Sequence, residues 1–391
     1  MNLTITPGKL SGTVTPPPSK SQAHRLLIAA ALAGEGCVIR NLADSQDIQA
    51  TRRCMAELKT NCHSLPDLDC GESGSTLRFL IPMALALRGG GVFTGHGRLM
   101  ERPQKPYFDL FNKKGIRYGQ KGETLTVEGA LLPGVYCLPG NVSSQFVTGL
   151  LYALPLLEGD SEIVLTSPLE SRGYVDMTLE VLERFGVRIE EKPDRFLVPG
   201  RQIYRSREAS VEADWSQGAF WYAANCLGSK VEILGLNPES TQGDMVVSRW
   251  AQALSRDGDV EIDVSGCPDL APPLAAMAAV RRGTARLVNA ARLRIKESDR
   301  LASITAVLTA LGADVEEFPD RLAIRGRAQL SGGCTVDCCN DHRIAMMAAI
   351  AATCCREPVT LTGAECVAKS YPNFWDDYRM LGGTANEYSG E

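Results

Sequence analysis

The chain has 391 residues, 44% of them hydrophobic and 22% charged, with a net charge of −5. That length suits two domains with large cores, while the acidic balance and lack of basic runs argue against nucleic-acid binding. No apolar run reaches the roughly 18 residues of a membrane span, and thirteen cysteines without C-x-x-C and four scattered histidines argue against zinc or a disulfide framework.

NLTIT at the start reads as a strand with no targeting signal, so the chain is expected to be cytoplasmic with reduced thiols. Pro16-Pro17-Pro18 then makes a stiff connector. Six apolar helices follow, each opened by a small polar or charged cluster. The clusters are Ser19-Lys20-Ser21, Ser73-Gly74-Ser75, Ser143-Ser144-Gln145, Asp214-Trp215-Ser216, Pro268-Asp269 and Asn340-Asp341-His342-Arg343. Runs such as LLIAAALA, LRFLIPMALAL and IAMMAAIAA are apolar nearly all round, which requires burial. Pro82 inside the second is expected to kink it. A more amphipathic helix begins 26 to 32 residues after each cluster, near Asp47, Tyr107, Val175, Met245, Asp299 and Tyr371. Between helices, TLTVEG, SEIVLTS, VEILG, ARLVNA and PVTLTG alternate as strands do. The polar tail after Gly382 is expected to fray.

This rhythm recurs at 53 to 73 residues and reads as an internal repeat in an α/β chain. Three units precede the charged stretch 201–213 and three follow it. The economical arrangement inserts one lobe, residues 18–212, into a discontinuous lobe, residues 1–17 plus 213–391. The hinges would lie near 15–20 and 205–214, and closure would be about charged ligands.

Helix N-termini carry unpaired N–H groups and the positive end of the dipole, so six of them converging would favour anions. Lys20, Arg25, Arg78, Arg102, Lys296, Arg300, Arg343 and Lys369 all lie near helix starts in a net acidic protein. A cation there opposes the dipole, and an anionic ligand would offset that cost. Gly74 suits a backbone cradle, while Ser143, Ser144, Gln145 and Ser171 suit a phosphate or a polyhydroxylated ring. Asp269 is a helix cap or a general base. Taken singly, each cluster is also explained by capping or by solvated charge; taken together they indicate a small substrate set bearing several negative charges.

At PSKSQAHR, GESGSTLRF, ERP, SSQF, DWSQGAF, PDLAP, LRIKESDRL, NDHR and VAKSYPNF the chain resembles the 5-enolpyruvylshikimate-3-phosphate synthases, a family of enolpyruvyl transferases. The resemblance runs nearly end to end. It implies an α/β fold of two lobes, an inside-out α/β barrel in which each lobe is a threefold repeat of βαβαββ units with helix N-termini facing the interdomain cleft. It implies transfer of an enolpyruvyl group from phosphoenolpyruvate to shikimate 3-phosphate without cofactor or metal, by a monomer that binds neither nucleic acid nor membrane. Shikimate 3-phosphate would be held by Lys20, Ser21, Arg25, Ser143, Ser144, Gln145, Ser171, Asp269 and Lys296. Phosphoenolpyruvate would be held by Lys20, Gly74, Arg102, Gln145, Arg300, Arg343 and Lys369, with Arg78 in support. Asp269 would take the proton of the 5-hydroxyl, and Glu297 and Lys369 would move protons at the enol methylene, with Lys20 beside them. Glu72-Ser73 and Arg292 depart from the usual family residues at their positions.

Three other readings differ in class. A sister enolpyruvyl transferase acting on UDP-N-acetylglucosamine would carry Lys-Asn where Lys20-Ser21-Gln22 stands. An enzyme that processes nucleic-acid ends would need basic stripes. A non-catalytic anion-binding protein would not need Asp269, Glu297 and Lys369.

Overall fold

The computed structural model describes residues 1–60 and 63–388 and divides into two compact units, Met1–Ser19 with Glu212–Glu391, and Lys20–Val211. In chain order the elements are β1 (Leu3–Thr6), β2 (Ser11–Val14), α1 (Lys20–Ala33), β3 (Val38–Arg40), α2 (Gln46–Lys59), β4 (Asp67–Asp69), α3 (Gly74–Arg88), β5 (Gly90–Thr94), α4 (Lys105–Lys114), β6 (Arg117–Lys121), β7 (Thr124–Glu128), β8 (Val135–Leu138), α5 (Ser144–Ala153), β9 (Ser161–Leu165), α6 (Arg172–Arg184), β10 (Glu190–Lys192), β11 (Arg195–Val198) and β12 (Glu208–Ser210). They continue with α7 (Trp215–Cys226), β13 (Lys230–Ile233), α8 (Val247–Leu254), β14 (Val260–Asp263), α9 (Ala271–Ala279), β15 (Thr284–Val288), α10 (Arg300–Ala310), β16 (Asp314–Phe318), β17 (Arg321–Arg325), β18 (Thr335–Asp337), α11 (His342–Ala352), β19 (Val359–Thr362), α12 (Phe374–Met380) and β20 (Thr384–Glu387).

Within Lys20–Val211 two four-stranded sheets have the same topology, β4-β5-β7-β6 and β8-β9-β11-β10, each a parallel pair followed by an antiparallel hairpin. Each is a βαβαββ unit. The other unit builds β14-β15-β17-β16 in the same way. Its second four-stranded sheet, β18-β19-β1-β20, takes its closing strand from the N-terminus. The tail expected to fray is therefore ordered as far as β20, paired along β1 from Leu3↔Glu387 to Thr6↔Thr384, because its backbone groups find a ladder. Residues 389–391 lie outside the described residues.

The repeat is less regular than the sequence rhythm suggests. The third sheet of each unit has only two strands, the parallel pairs β3–β12 and β2–β13. Among the described residues no hairpin follows α2 or α8 before the next strand. Strands are also exchanged at the crossings: β2 precedes α1 yet pairs with β13, and β12 precedes α7 yet pairs with β3. Without a hairpin, one edge of β13 is open. Val231 turns its N–H and C=O to that edge, and the Asn225 carboxamide meets both, at 2.7 and 2.8 Å. A side chain of α7 thus stands in for a missing strand.

The apolar helices are buried as their composition demands. Every residue of α9 and α11 is buried, as are Phe146–Ala153 of α5. Pro82 lies within α3 and cannot donate to the carbonyl of Arg78 one turn back. Tyr107 Oη reaches that carbonyl at 2.8 Å and the Phe146 carbonyl at 3.0 Å. Gly149 leaves room for it, since a Cβ there would lie 2.3 Å from Tyr107 Oη. Pro82, Tyr107 and Gly149 together fix how closely α3 and α5 approach.

Candidate active site

In the unit Lys20–Val211, the starts of α1, α2, α3 and α5 carry the polar groups. Lys20, the first residue of α1, donates to Asp47 in the first turn of α2 at 2.9 Å. Asp47, which in the sequence serves only as a helix marker, thus joins the candidate site through Lys20; its signal is an acidic residue in a first turn. Ser21 follows Lys20, and its carbonyl accepts from Arg25 Nη1 at 2.6 Å. Arg25 also donates to the Tyr174 carbonyl and to Thr178, which ties α1 to α6. Burial pulls the Arg25 guanidinium down to about 10, which leaves it a cation at neutral pH.

Ser73 caps α3 by accepting from Thr76 N at 3.2 Å. Gly74 then brings backbone against the Arg102 guanidinium: a Cβ on Gly74 would lie 2.8 Å from Arg102 Nη1. Ser143 caps α5, and Ser144 is buried at its start. The Gln145 amide bridges two helices, accepting from Arg78 Nη1 at 2.8 Å and donating to Ser75 at 3.0 Å. Arg78 further donates to the Pro103 carbonyl and lies 4.9 Å from the Phe146 ring centroid. Ser171, the residue before α6, is buried with φ 54°. A non-glycine held there costs about 1 kcal/mol or more, which marks a position fixed by its surroundings.

In the other unit, one buried cluster gathers the remaining residues. Asp269 sits in a short 3-10 turn, Pro268–Leu270, ahead of α9, so it is not the cap that its position suggested. Its Oδ1 accepts from Arg300 Nη1 at 2.8 Å and its Oδ2 from Arg343 Nη2 at 3.0 Å. Lys296 Nζ stands 3.9 Å from Oδ1. Burial alone would raise the Asp269 carboxyl, but Arg343, Lys296 and Arg300 outweigh it and hold it well below the usual carboxylate range. Arg300 is 1% exposed and also donates to Glu297 at 2.7 Å and Asp341 at 2.8 Å. Burial opposes its charge, but Asp341, Glu297 and Asp269 keep it firmly protonated. Burial lowers Lys296 to about 8 against the attraction of Asp269, with Arg300 and Arg292 adding to the fall.

Arg343 enters α11 behind Asp341, which caps that helix by accepting from Arg343 N at 3.0 Å. Arg343 Nη2 also reaches Ser216 at 3.0 Å, and Ser216 donates to Asp214, the cap of α7. Lys369 ends the 3-10 helix Ala364–Lys369 and donates to the Asn340 carbonyl at 2.6 Å. Cys339 and Asn340 hold consecutive positive φ of 54° and 51°, which aims that carbonyl. In the sequence Asp341, Asp214 and Ser216 read only as members of the clusters that open helices. The signal available for the aspartates was an acidic residue at each helix N-cap, which here orients an arginine as well. Arg292 donates to the Ser265 carbonyl at 2.6 Å.

The model of the family described as EPSP synthase (3-phosphoshikimate 1-carboxyvinyltransferase) matches residues 5–378. The chain belongs to this family. It is 42% identical to the 3-phosphoshikimate 1-carboxyvinyltransferase of Clostridium novyi and 44% identical to that of Clostridium kluyveri, in each case across 99% of both proteins. Those alignments span 431 and 421 positions, more than the 391 residues present here, so these relatives carry segments that this chain lacks. Among solved structures, an EPSP synthase from Acinetobacter baumannii superposes with a TM-score of 0.78 over 99% of this chain and 100% of that one, at 23% identity. That likeness establishes the two-lobed α/β fold of the EPSP synthases for this member.

Proposed function

We propose that the chain transfers the enolpyruvyl group of phosphoenolpyruvate to the 5-hydroxyl of shikimate 3-phosphate and releases phosphate, a step toward the aromatic amino acids. The observation that carries this is Asp269, a carboxylate held between Arg300 and Arg343 with Lys296 beside it. Lys20, Ser21, Arg25, Ser143, Ser144, Gln145, Ser171, Asp269 and Lys296 hold shikimate 3-phosphate in this reading. Lys20, Gly74, Arg102, Gln145, Arg300, Arg343 and Lys369 hold phosphoenolpyruvate.

The hydroxyl oxygen adds to C2 of phosphoenolpyruvate as C3 gains a proton, giving a tetrahedral phosphate. Loss of a C3 proton and cleavage of the C2–O bond then expel phosphate. In this reading Asp269 takes the hydroxyl proton, and Glu297 and Lys369 move protons at C3. In the ligand-free cluster Asp269 is a weak base, because three cations stabilise its charge. An incoming carboxylate and phosphate compete for Arg300 and Arg343. As the arginines turn to ligand oxygens, Asp269 regains basicity. The fixed cations also stabilise charge on the tetrahedral phosphate.

The test is phosphate release from purified protein given phosphoenolpyruvate and either shikimate 3-phosphate or UDP-N-acetylglucosamine, with no added metal. Release with shikimate 3-phosphate alone is expected. Release with the UDP-sugar alone would keep the chemistry and discard the acceptor.

A further inference from the structure

One turn beneath the Lys20–Asp47 ion pair lies a second, fully buried polar connection. His24 follows Lys20 by four residues on α1, and Thr51 follows Asp47 by four on α2, so each shares a helix face with its partner above. His24 Nδ1 lies 2.7 Å from Thr51 Oγ1, and Thr51 Oγ1 lies 2.7 Å from Thr76 Oγ1 on α3. Thr76 Oγ1 donates to Ser73 Oγ at 2.8 Å, and Ser73 Oγ also accepts Thr76 N. The chain of contacts therefore ends on the residue that caps α3, next to Gly74. His24, Thr51, Thr76 and Ser73 are all 0% exposed.

The direction of these hydrogen bonds follows from the far side of the imidazole. His24 Nε2 has no partner among the described residues, and the Phe79 ring crosses the imidazole at 86° with ring centroids 6.4 Å apart. Burial, then the charges of Lys20 and Arg25, push the imidazole well below its ordinary range, so the ring is neutral and carries one proton. A buried N–H without an acceptor costs more than an idle lone pair. The proton therefore sits on Nδ1. From there the order is forced: His24 Nδ1–H donates to Thr51, Thr51 to Thr76, and Thr76 to Ser73. Ser73 Oγ, already accepting twice, keeps one orientation and holds the first turn of α3 in place.

We propose that His24, Thr51 and Thr76 are positioning residues that register the Gly74 cradle against Lys20 through a one-way hydrogen-bond chain. The proposal rests on the reading of Gly74 as part of the phosphoenolpyruvate site. The chain touches no substrate. It joins the helix starts that carry Lys20, Asp47 and Gly74, and loss of one link lets α3 shift relative to α1. Displacement of the cradle weakens the ligand that the cradle holds before it affects anything else.

The test has two arms. In the first, two-bond 1H–15N spectra of the full histidine-labelled chain report the tautomer, with the His24 signal assigned by its loss in His24→Asn. The expected result is an Nδ1-protonated ring that does not titrate between about pH 5.5 and 8.5. An Nε2-protonated or titrating ring would overturn the chain's direction. In the second, Thr51→Val is expected to raise the KM for phosphoenolpyruvate about five- to tenfold, the worth of one buried hydrogen bond. The KM for shikimate 3-phosphate and kcat should stay within about twofold. Thr51→Ser should restore the wild-type value, and His24→Asn, which keeps a short N–H donor, should lie between. A folded Thr51→Val with an unchanged KM for phosphoenolpyruvate, or with both KM values raised together, would sink the positioning role. If the wild-type chain shows no transfer at all, the functional reading fails instead; the tautomer and direct titration with phosphoenolpyruvate still decide the chain.

Discussion

The two units hold their cations by opposite means. In Lys20–Val211, Arg25 and Arg78 donate to backbone carbonyls, a hydroxyl and the Gln145 amide. Asp47 against Lys20 is the carboxylate joined to a cation at these helix starts. In the other unit, Arg300 alone meets three carboxylates, Asp269, Glu297 and Asp341, and Arg343 shares Asp269. The first arrangement fixes the direction of its cations, which suits docking of an anion. The second is nearly neutralised from within, and a ligand must compete for its arginines. That competition couples binding to the basicity of Asp269.

The largest test of this contrast is Asp269→Ala. It removes the shared carboxylate and should lower kcat by about 10³-fold in phosphate-release kinetics, while circular dichroism stays native. A wild-type rate would show that the internally neutralised cluster is structural. Next comes Gly74→Ala on the docking side. The added Cβ would sit within 3 Å of the Arg102 guanidinium and displace it. The KM for phosphoenolpyruvate should rise roughly 10- to 100-fold, with little change for shikimate 3-phosphate.

Lys296 gives a smaller, pH-dependent effect. With its value at about 8, it is cationic below that pH and neutral above it. The KM for shikimate 3-phosphate should therefore climb as pH rises through 8, by up to about tenfold per unit, and Lys296→Arg should flatten the climb. For stability the sign is opposite. The unfolded chain holds this proton up to about pH 10.4, so between 8 and that value the unfolded state binds more protons and stability from this group rises with pH. The lowered Asp269 carboxyl contributes stability above its unfolded value, and the contribution is lost as pH falls below about 4.

Tyr107→Phe should have the smallest effect on catalysis. It leaves the Arg78 and Phe146 carbonyls without this donor, and the melt should report about 1–2 kcal/mol of lost stability. Because Arg78 lies on the same turn of α3, a change in the KM for phosphoenolpyruvate would show that docking geometry depends on that carbonyl.

Much of this was legible in the sequence because burial leaves a periodic trace. All six apolar helices lie where polar clusters met apolar runs, and the N-terminal strand pairs with β19 near the chain's end. The reading failed where information was non-local. Position left Asp269 open between a helix cap and a general base, and the 3-10 turn that separates it from α9 rules out the cap. Asp341 and Asp47 read as helix markers, since nothing in one dimension shows which arginine or lysine a carboxylate will meet. The units containing α2 and α8 do leave a trace, since their spacings of 54 and 53 residues fall below the 68 to 73 of the others, but a spacing alone does not say which element is shorter.

The open edge of β13 has a consequence for how the protein ages. Its protection depends on one carboxamide, which donates to the Val231 carbonyl and accepts from its N–H. Deamidation would turn Asn225 into a carboxylate facing that carbonyl. The edge would then lose its donor and meet a repulsive charge, and a strand ready to pair with another chain would be exposed. A single exchange of amide nitrogen for oxygen, far along the sequence from Lys20 and Gly74, would undo the guard on this strand.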